Sequence, residues 1–229
     1  MLSMYKFLTV ALLRFVVVFF VVSVIAAIYF YPGGNIHDPA QRGYSITHNF
    51  LSDLGGDQSH SGAANSLSAF FFNTSMIMFL GVGIAFLFVP RLFKVDSFTH
   101  TVAIIGSSFF FFGTTFFAGV GLTPHDRYLD LHTFFALNAF RLLVPGSLAY
   151  LIVLLRSSVD NKHALATMVY LVSTFSYVIY QFVGDSAVAS QEAMVRQATI
   201  QKLIALASVA TIFSLSFAFS TRLKHLKLN

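Results

Sequence analysis

Histidine and carboxylate side chains, which can bind metal ions and transfer protons, are concentrated in three segments of this 229-residue chain. The segments contain five of the 8 histidines and seven of the 9 acidic residues: His37, Asp38, His48, Asp53, Asp57, His60, His125, Asp126, Asp130, His132, Asp185 and Glu192. We expect all three segments to face the same side of a membrane. The titratable chemistry of the chain would then be gathered on one face.

Residues 48–55 and 124–132 are the densest parts of these segments, and each combines imidazoles with carboxylates. Hydrolytic zinc sites without cysteine are built from such groups, with about three protein ligands and one position left for water. The chain has no cysteine, so any metal ion must use His, Asp, Glu or water. The ligand candidates for a divalent metal cofactor are His48, His125, His132 and Asp126.

The spacing of these residues is not that of a known zinc motif. His125 and His132 are seven positions apart, whereas a zincin carries His-Glu-x-x-His on one helix. Asp126 could instead stabilise the start of the following helix, because carboxylates interact favourably with a helix N-terminus, and Asp53 could do likewise. Capping does not explain five histidines, so both interpretations stay open.

The composition indicates a membrane protein. The chain is 56% hydrophobic and only 10% charged, which is unusual for a soluble domain. Its formal charge of +5 could suggest nucleic acid as a partner, but the basic residues lie singly beside apolar runs, as topology signals do. We therefore expect membrane lipid and no nucleic acid as a partner. A second copy of the chain or a partner membrane subunit is a further option.

Six apolar runs are long enough to cross about 30 Å of hydrocarbon. They lie at about 8–31, 65–89, 101–122, 131–155, 164–184 and 198–220. The first run is longer than the apolar part of a signal peptide, so we expect it to be a retained helix.

The distribution of Lys and Arg predicts the orientation. Nine of these residues flank one set of helix ends: Lys6, Arg14, Arg91, Lys94, Arg156, Lys162, Arg222, Lys224 and Lys227. The other ends have four: Arg42, Arg127, Arg196 and Lys202. We expect both termini in the cytoplasm and the chain integral to the cell membrane.

The predicted fold is all-α, a polytopic bundle of six transmembrane helices that forms a single integral membrane domain over residues 1–229. Short inner connections favour antiparallel packing of neighbouring helices. The outer first loop, about 32–64, is long, and its amphipathic stretch from Ile46 to Leu54 predicts a short helix at the interface.

One basic residue, Arg141, falls about 15 Å inside the fourth helix, where an arginine must be paired or reach water. Asn138 shares its face. The fifth helix has a polar stripe that includes Tyr177, Gln181 and Asp185, and the two faces could meet inside the bundle. The arginine either binds an anionic lipid group or fixes the helix register.

Several of these residues together carry a resemblance to known families. The elements are Asn49-x-x-Ser52-Asp53-Leu54-Gly55, an Asn in the second helix, a Gly-rich third helix ending in Pro124-x-Asp126, and then His132. They resemble the prokaryotic membrane family catalogued as domain of unknown function 998, over nearly the whole chain. The Ser-Asp-x-Gly element is also distantly similar to one in the Frag1/DRAM/Sfk1 membrane proteins, which are associated with lipid handling.

This resemblance implies a six-helix bundle with a polar outer site, but no reaction. Gln201-Lys202 is similar to a Gln and basic pair in the family. The predicted polar outer site therefore comprises Asn49, Ser52, Asp53, Asp126, His132, Gln201 and Lys202.

Two functions follow from these patterns. In the first, the chain is a non-catalytic, lipid-interacting or accessory membrane protein whose outer site recognises a head group, with Arg141 and the tyrosine stripe as the floor. In the second, it is a metal-dependent intramembrane hydrolase that acts on a lipid at the outer leaflet. A transporter using Asp185 and Arg141 has less support, because no inverted repeat is recognisable.

Overall fold

A computed structural model describes residues 2–226 of the chain. Lys227, which contributes to the orientation argument, lies outside the described residues. Within residues 2–226 the structure contains helices and loops, with two isolated β-bridges and no strand. The prediction of an all-α bundle is confirmed.

In this described part of the chain, six helices are long and apolar enough to cross a membrane, as predicted. They are α1 (Met4–Phe30), α2 (Ser66–Phe93), α3 (Ser97–Leu122), α4 (Leu129–Leu155), α5 (Asn161–Val183) and α6 (Gln191–His225). Helix α6 starts earlier and ends later than the predicted run 198–220, because Ser190 caps it by accepting a hydrogen bond from the amide of Ala193. Its polar first two turns are therefore helical despite their low hydropathy.

The helices form a ring in which each one packs against its neighbours along the chain, and α6 returns to contact α1. The closest packing lies between α2, α3 and α4, where glycines allow the helices to approach. A Cβ on Gly121 of α3 would lie 2.6 Å from the carbonyl oxygen of Asn73 in α2. Helix α5 is much less enclosed: 17% of the residues in its most apolar stretch are buried, against 56% in α2.

The connections 31–65, 123–128 and 184–190 lie together at one end of the ring, which we name the polar end. The first is an ordered loop. Gly34 in it adopts φ +81, and a Cβ there would lie 2.3 Å from the amide nitrogen of Ser61, so a glycine is needed where these two stretches cross. The predicted interfacial helix Ile46–Leu54 is shorter: only Leu51–Gly55 is helical, as a 3-10 turn, and Leu54 is buried in the bundle.

Candidate functional site

Asp53, His60 and His125 come together at the polar end, although they lie in three different parts of the sequence. One ligand atom from each residue lies within 4.8 Å of the other two. The Nε2 atom of His60 is 3.3 Å from Oδ1 of Asp53, and the rings of His60 and His125 have their centroids 5.7 Å apart. We name these three residues the triad.

The 3-10 turn positions Asp53 and fixes its carboxylate. Its Oδ2 atom accepts hydrogen bonds from the side-chain amide of Asn49 and the backbone amide of Phe50, each at 2.9 Å. The Oδ1 atom faces His60. Because Asp53 is only 3% exposed, these two donors compensate for much of the cost of burying its charge.

Helix α6 holds this turn in place from the other side. Gln201 accepts a hydrogen bond of 2.8 Å from the backbone amide of Leu51. Lys202 donates to the carbonyl oxygen of Asn49 and, at 3.1 Å, to that of Ala198 in its own helix. The carboxylate of Asp53 is thus tied to α6 through its flanking backbone.

His60 lies in a tight turn, and His125 lies just before α4. The amide of Ser61 donates to the carbonyl of Gly33 at 3.2 Å, which fixes the turn against the start of the loop. His125 packs closely on Gly56, where a Cβ would lie 2.6 Å from its ring. Any side chain at position 56 would therefore displace this imidazole.

Two ring nitrogens of the triad have no hydrogen-bond partner among residues 2–226, although both atoms are buried. They are Nε2 of His60, whose 3.3 Å contact with Asp53 lacks hydrogen-bond geometry, and Nδ1 of His125. More than about 90% of buried polar groups in proteins do have a partner. Unpartnered imidazole nitrogens beside a buried carboxylate are therefore candidates for ligand binding.

His132 lies next to the triad, with its ring centroid 6.0 Å from that of His125. It is 6% exposed, and its Nδ1 atom lies 2.7 Å from the carbonyl oxygen of Thr123. This contact requires a proton on Nδ1, because a carbonyl only accepts. The neutral imidazole then carries its lone pair on Nε2.

The two triad imidazoles differ in their electrostatics. The adjacent carboxylate of Asp53 raises the pKa of His60 above its usual value, although partial burial acts in the opposite direction. Burial lowers the pKa of His125 below its usual value. The pKa values of the two imidazoles are therefore shifted in opposite directions.

Asp126 is close to the triad, but both oxygens of its carboxylate already accept hydrogen bonds. Its two oxygens accept hydrogen bonds from the amides of Asp57 and Gln58, each at 3.0 Å. Partial burial raises its pKa, but these amides and that of Asp126 itself outweigh the burial and hold the pKa below its usual value. Asp126 joins two loops, and Arg127 adds an ion pair with Asp57.

A cavity of about 840 Å³ leads from the triad into the bundle. Most of its lining is apolar and aromatic, including Phe72, Phe79, Phe110, Phe117, Phe140 and Leu143. Its polar lining is concentrated at the polar end, where Ser52, the triad, His132 and Gln201 contribute. The cavity is thus polar at one end and apolar along most of its length.

The cavity is deep and it reaches the surface. Leu143 lies fourteen residues after Leu129, and both line it, so it extends about 21 Å along α4. Asp185 and Val188 also line it and are exposed. The opening therefore lies beside the connection between α5 and α6, next to the least buried of the six helices, α5.

Most residues of the predicted polar outer site lie at the polar end, but with different tasks. Ser52, Asp53, His132 and Gln201 line the cavity. Asn49 and Lys202 support the turn from behind, and Asp126 joins loops.

The predicted metal ligands are arranged differently from the prediction. The Nδ1 atom of His48 lies 2.8 Å from the hydroxyl of Thr47, outside the triad, and the oxygens of Asp126 bind amides. His125 belongs to the triad, whereas the predicted ligands did not include His60. The spacing of residues in the sequence does not identify His60 as a ligand candidate. It reaches Asp53 only because the loop folds back at Gly34.

The intramembrane polar residues divide into two groups. Tyr177, Gln181 and Asp185 line the cavity, and both side-chain polar atoms of Gln181 are buried without a partner. Arg141 does not line the cavity: it donates to Asn138 of its own helix at 3.4 Å and lies over the ring of Phe182, 4.8 Å from its centroid. The expected role of Arg141 as the floor of the site is therefore not what the structure shows.

The side chain of Asp185 is 72% exposed and pairs with Arg196 at 2.9 Å. Asp185 therefore has its ionic partner on α6.

Comparisons with protein-family models, with curated proteins and with solved structures find no match for this chain. The resemblance to the family of unknown function and to the lipid-associated membrane proteins therefore stays a prediction. Six apolar helices and an Asp/His group at one end identify the chain as a multi-pass membrane protein with a polar site.

Proposed function

We propose that this protein binds a membrane lipid, with an acyl chain in the cavity and the head group at the polar end beside the triad and His132. The observation that carries the proposal is the cavity itself, which is apolar along most of its length and polar at its outer end. Ligand pockets in proteins typically have about 300–1,000 Å³, are mostly apolar, and have a few polar groups that fix orientation. This cavity has that composition and size.

The position of the opening supports a ligand that arrives from the bilayer. Phe182, Val183 and Val188 are large exposed apolar residues beside it. A lipid could move sideways between α5 and α6 without leaving the apolar phase. With the proposed orientation, in which both termini are cytoplasmic, the head group would come from the outer leaflet of the cell membrane.

Lipid analysis of variants tests the proposal. The untagged full chain, purified in mild detergent after exposure to phospholipid vesicles, is extracted and its lipids are quantified by mass spectrometry. Ala205→Phe places a ring in the cavity, whereas Ala210→Phe on the same helix changes an exposed position. We expect wild type and Ala210→Phe to retain a defined lipid, and Ala205→Phe to retain at least fivefold less.

Equal retention by the three proteins, or no retained lipid beyond the detergent background in wild type, would contradict lipid binding in the cavity. Size-exclusion chromatography of each variant checks that the bundle is intact.

A metal-dependent hydrolase is the second candidate, and the convergence of Asp53, His60 and His125 favours it. In such a reaction the oxygen of a water molecule joins the acyl carbon of an ester, the bond to the alcohol oxygen breaks, and the proton passes to that oxygen. The test is release of fatty acid from phospholipid in the presence of added Zn(II), compared between wild type and Asp53→Asn. Retained lipid without release would leave binding as the function.

A further inference from the structure

We propose that Asp53, His60 and His125 form a binding site for one divalent transition-metal ion at the polar end of the cavity. The inference goes beyond lipid binding and does not depend on it, since it is argued from the triad alone.

The spacing of the three side chains fits a metal ion with small adjustments. Their ligand atoms lie within 4.8 Å of one another. Ligands bound to zinc at about 2.0–2.2 Å in tetrahedral geometry are about 3.4 Å apart. The contact of 3.3 Å between Asp53 and His60 already has this separation, and the ligand atom of His125 lies at most about 1.4 Å farther from the other two than zinc ligands do.

The unpartnered nitrogens distinguish the triad from the other histidines. Five of those have a ring nitrogen in contact with a hydrogen-bonding oxygen: His37, His48, His100, His132 and His163. In the described part of the chain, buried imidazole nitrogens without a partner occur only at Nε2 of His60 and Nδ1 of His125, and a ring nitrogen of each residue lies within 4.8 Å of a carboxylate oxygen of Asp53. Coordination of one ion would satisfy both.

The surroundings of Asp53 are those of a metal-binding carboxylate. Asn49 and the amide of Phe50 hold Oδ2, which leaves Oδ1 directed at His60. Hydrogen bonds of this kind orient ligands and are a regular part of metal sites. Two nitrogens and one oxygen, with no cysteine in the chain, favour Zn(II) or another first-row divalent ion.

Three protein ligands leave a position for water or for a fourth ligand. His132 lies next to His125, and the hydrogen bond of its Nδ1 atom to Thr123 leaves the lone pair of Nε2 available. The triad and His132 line the cavity together. A bound ion would therefore be accessible to the polar part of a ligand in the cavity.

Metal titration of the untagged full chain tests this site. The protein is purified in detergent, treated with EDTA, desalted and titrated with Zn(II), and its zinc content is measured by inductively coupled plasma mass spectrometry. We expect one zinc per chain for wild type. His60→Ala and His125→Ala should each lower the apparent affinity at least tenfold, and the double variant should retain less than about a tenth of the zinc.

His100→Ala and His163→Ala are matched controls at the other end of the bundle and should bind zinc like wild type. A rise in the thermal unfolding temperature on adding zinc, present in wild type and absent in the double variant, provides a second readout. Equal zinc binding by wild type and the double variant, or none by wild type, overturns the proposal.

Lipid retention measured on the same samples keeps the two proposals apart. Ala205→Phe is expected to lose lipid and to bind zinc like wild type, so the metal site is tested independently of lipid binding.

Discussion

The two ends of the bundle both carry histidines and aspartates, but they use them differently. At the end opposite the triad, His100 contacts the carbonyl of Pro90 at 3.0 Å and His163 contacts the hydroxyl of Ser214 at 2.8 Å. Asp96 there caps α3 by accepting from the amide and hydroxyl of Thr99. At the polar end, His60 and His125 have buried nitrogens without partners, and a cavity lies beside them.

This difference shows how to separate structural from functional polar groups in a membrane protein. A polar side chain that stabilises a helix bundle has its hydrogen bonds satisfied within the protein. A side chain kept for a ligand retains bonding capacity in a position that the ligand can reach. The residue types alone do not distinguish the two cases, whereas their partners do.

The largest expected effect concerns the scaffold that supports the triad. Asn49 is fully buried. Its side-chain amide donates to the carbonyl of Gly34 and the carboxylate of Asp53, and accepts from the side chain of Gln41 and the backbone amide of Ser45. Asn49→Ala should lower the free energy of unfolding by about 3 kcal/mol, because several buried groups lose their partner. Asn161→Ala, at an exposed position of the opposite end, is the control for circular-dichroism melting in detergent. Similar melting of the two variants would show that the loop is not a rigid scaffold.

Histidine substitutions at the two ends sharpen the contrast. In the presence of EDTA, His163→Ala should cost about 2 kcal/mol of stability, because a buried ring and its hydrogen bond are lost. His60→Ala should cost about 0.5 kcal/mol, since its ring is only partly buried and its Nε2 has no hydrogen bond. If His60→Ala were the more damaging of the two under these conditions, the imidazole would be structural.

The contact between α6 and the 3-10 turn has an intermediate effect. Gln201→Leu removes the acceptor for the amide of Leu51 and should lower stability by about 1 kcal/mol. Gln191→Leu, exposed at the start of the same helix, should change it by less than about 0.5 kcal/mol. Chemical denaturation of the reconstituted or detergent-bound protein measures both, and equal values would remove the proposed support.

The smallest expected effect is a pH dependence at the opposite end. The hydrogen bonds from Thr99, with a contribution from Arg156, hold the pKa of Asp96 below its usual value. A lowered folded-state pKa means that Asp96 stabilises the fold above the unfolded-state value near 3.8, and that this stabilisation is lost as the pH falls through the folded-state pKa. Asp96→Asn retains a helix cap but not the charge.

The unfolding temperature of wild type should therefore exceed that of Asp96→Asn at pH 6, and the two should converge as the pH falls below about 4. A difference that does not change with pH would mean that charge contributes nothing at this cap.

The helices could be predicted because hydropathy and length follow directly from the bilayer. Asp53 could be placed at the polar end for the same reason. His60 could not, since its position depends on hydrogen bonds around Gly33 and Gly34 that no periodic pattern encodes. The prediction that Asp126 caps the following helix correctly gave backbone amides as its partners. The amides are, however, those of Asp57 and Gln58 in the first loop.

Arg141 illustrates a second limit of sequence reasoning. Burying a cation in a membrane costs free energy, so some group must compensate for the charge, but the sequence does not identify that group. The side chain uses Asn138 of its own helix and the face of Phe182. A polar stripe on the neighbouring helix was the more conspicuous signal, and it lines the cavity instead.

The attachment of the 3-10 turn to α6 has a mechanical consequence. Helix α6 spans the whole bundle, and Arg222 near its far end donates to the carbonyl of Leu92 at 2.8 Å. Because Gln201 and Lys202 are hydrogen-bonded to the backbone near Asp53, a tilt of α6 would move the carboxylate of Asp53 with it. His125 would keep its place, since it belongs to the connection between α3 and α4. The distance between the carboxylate of Asp53 and the imidazole of His125 therefore depends on the tilt of α6.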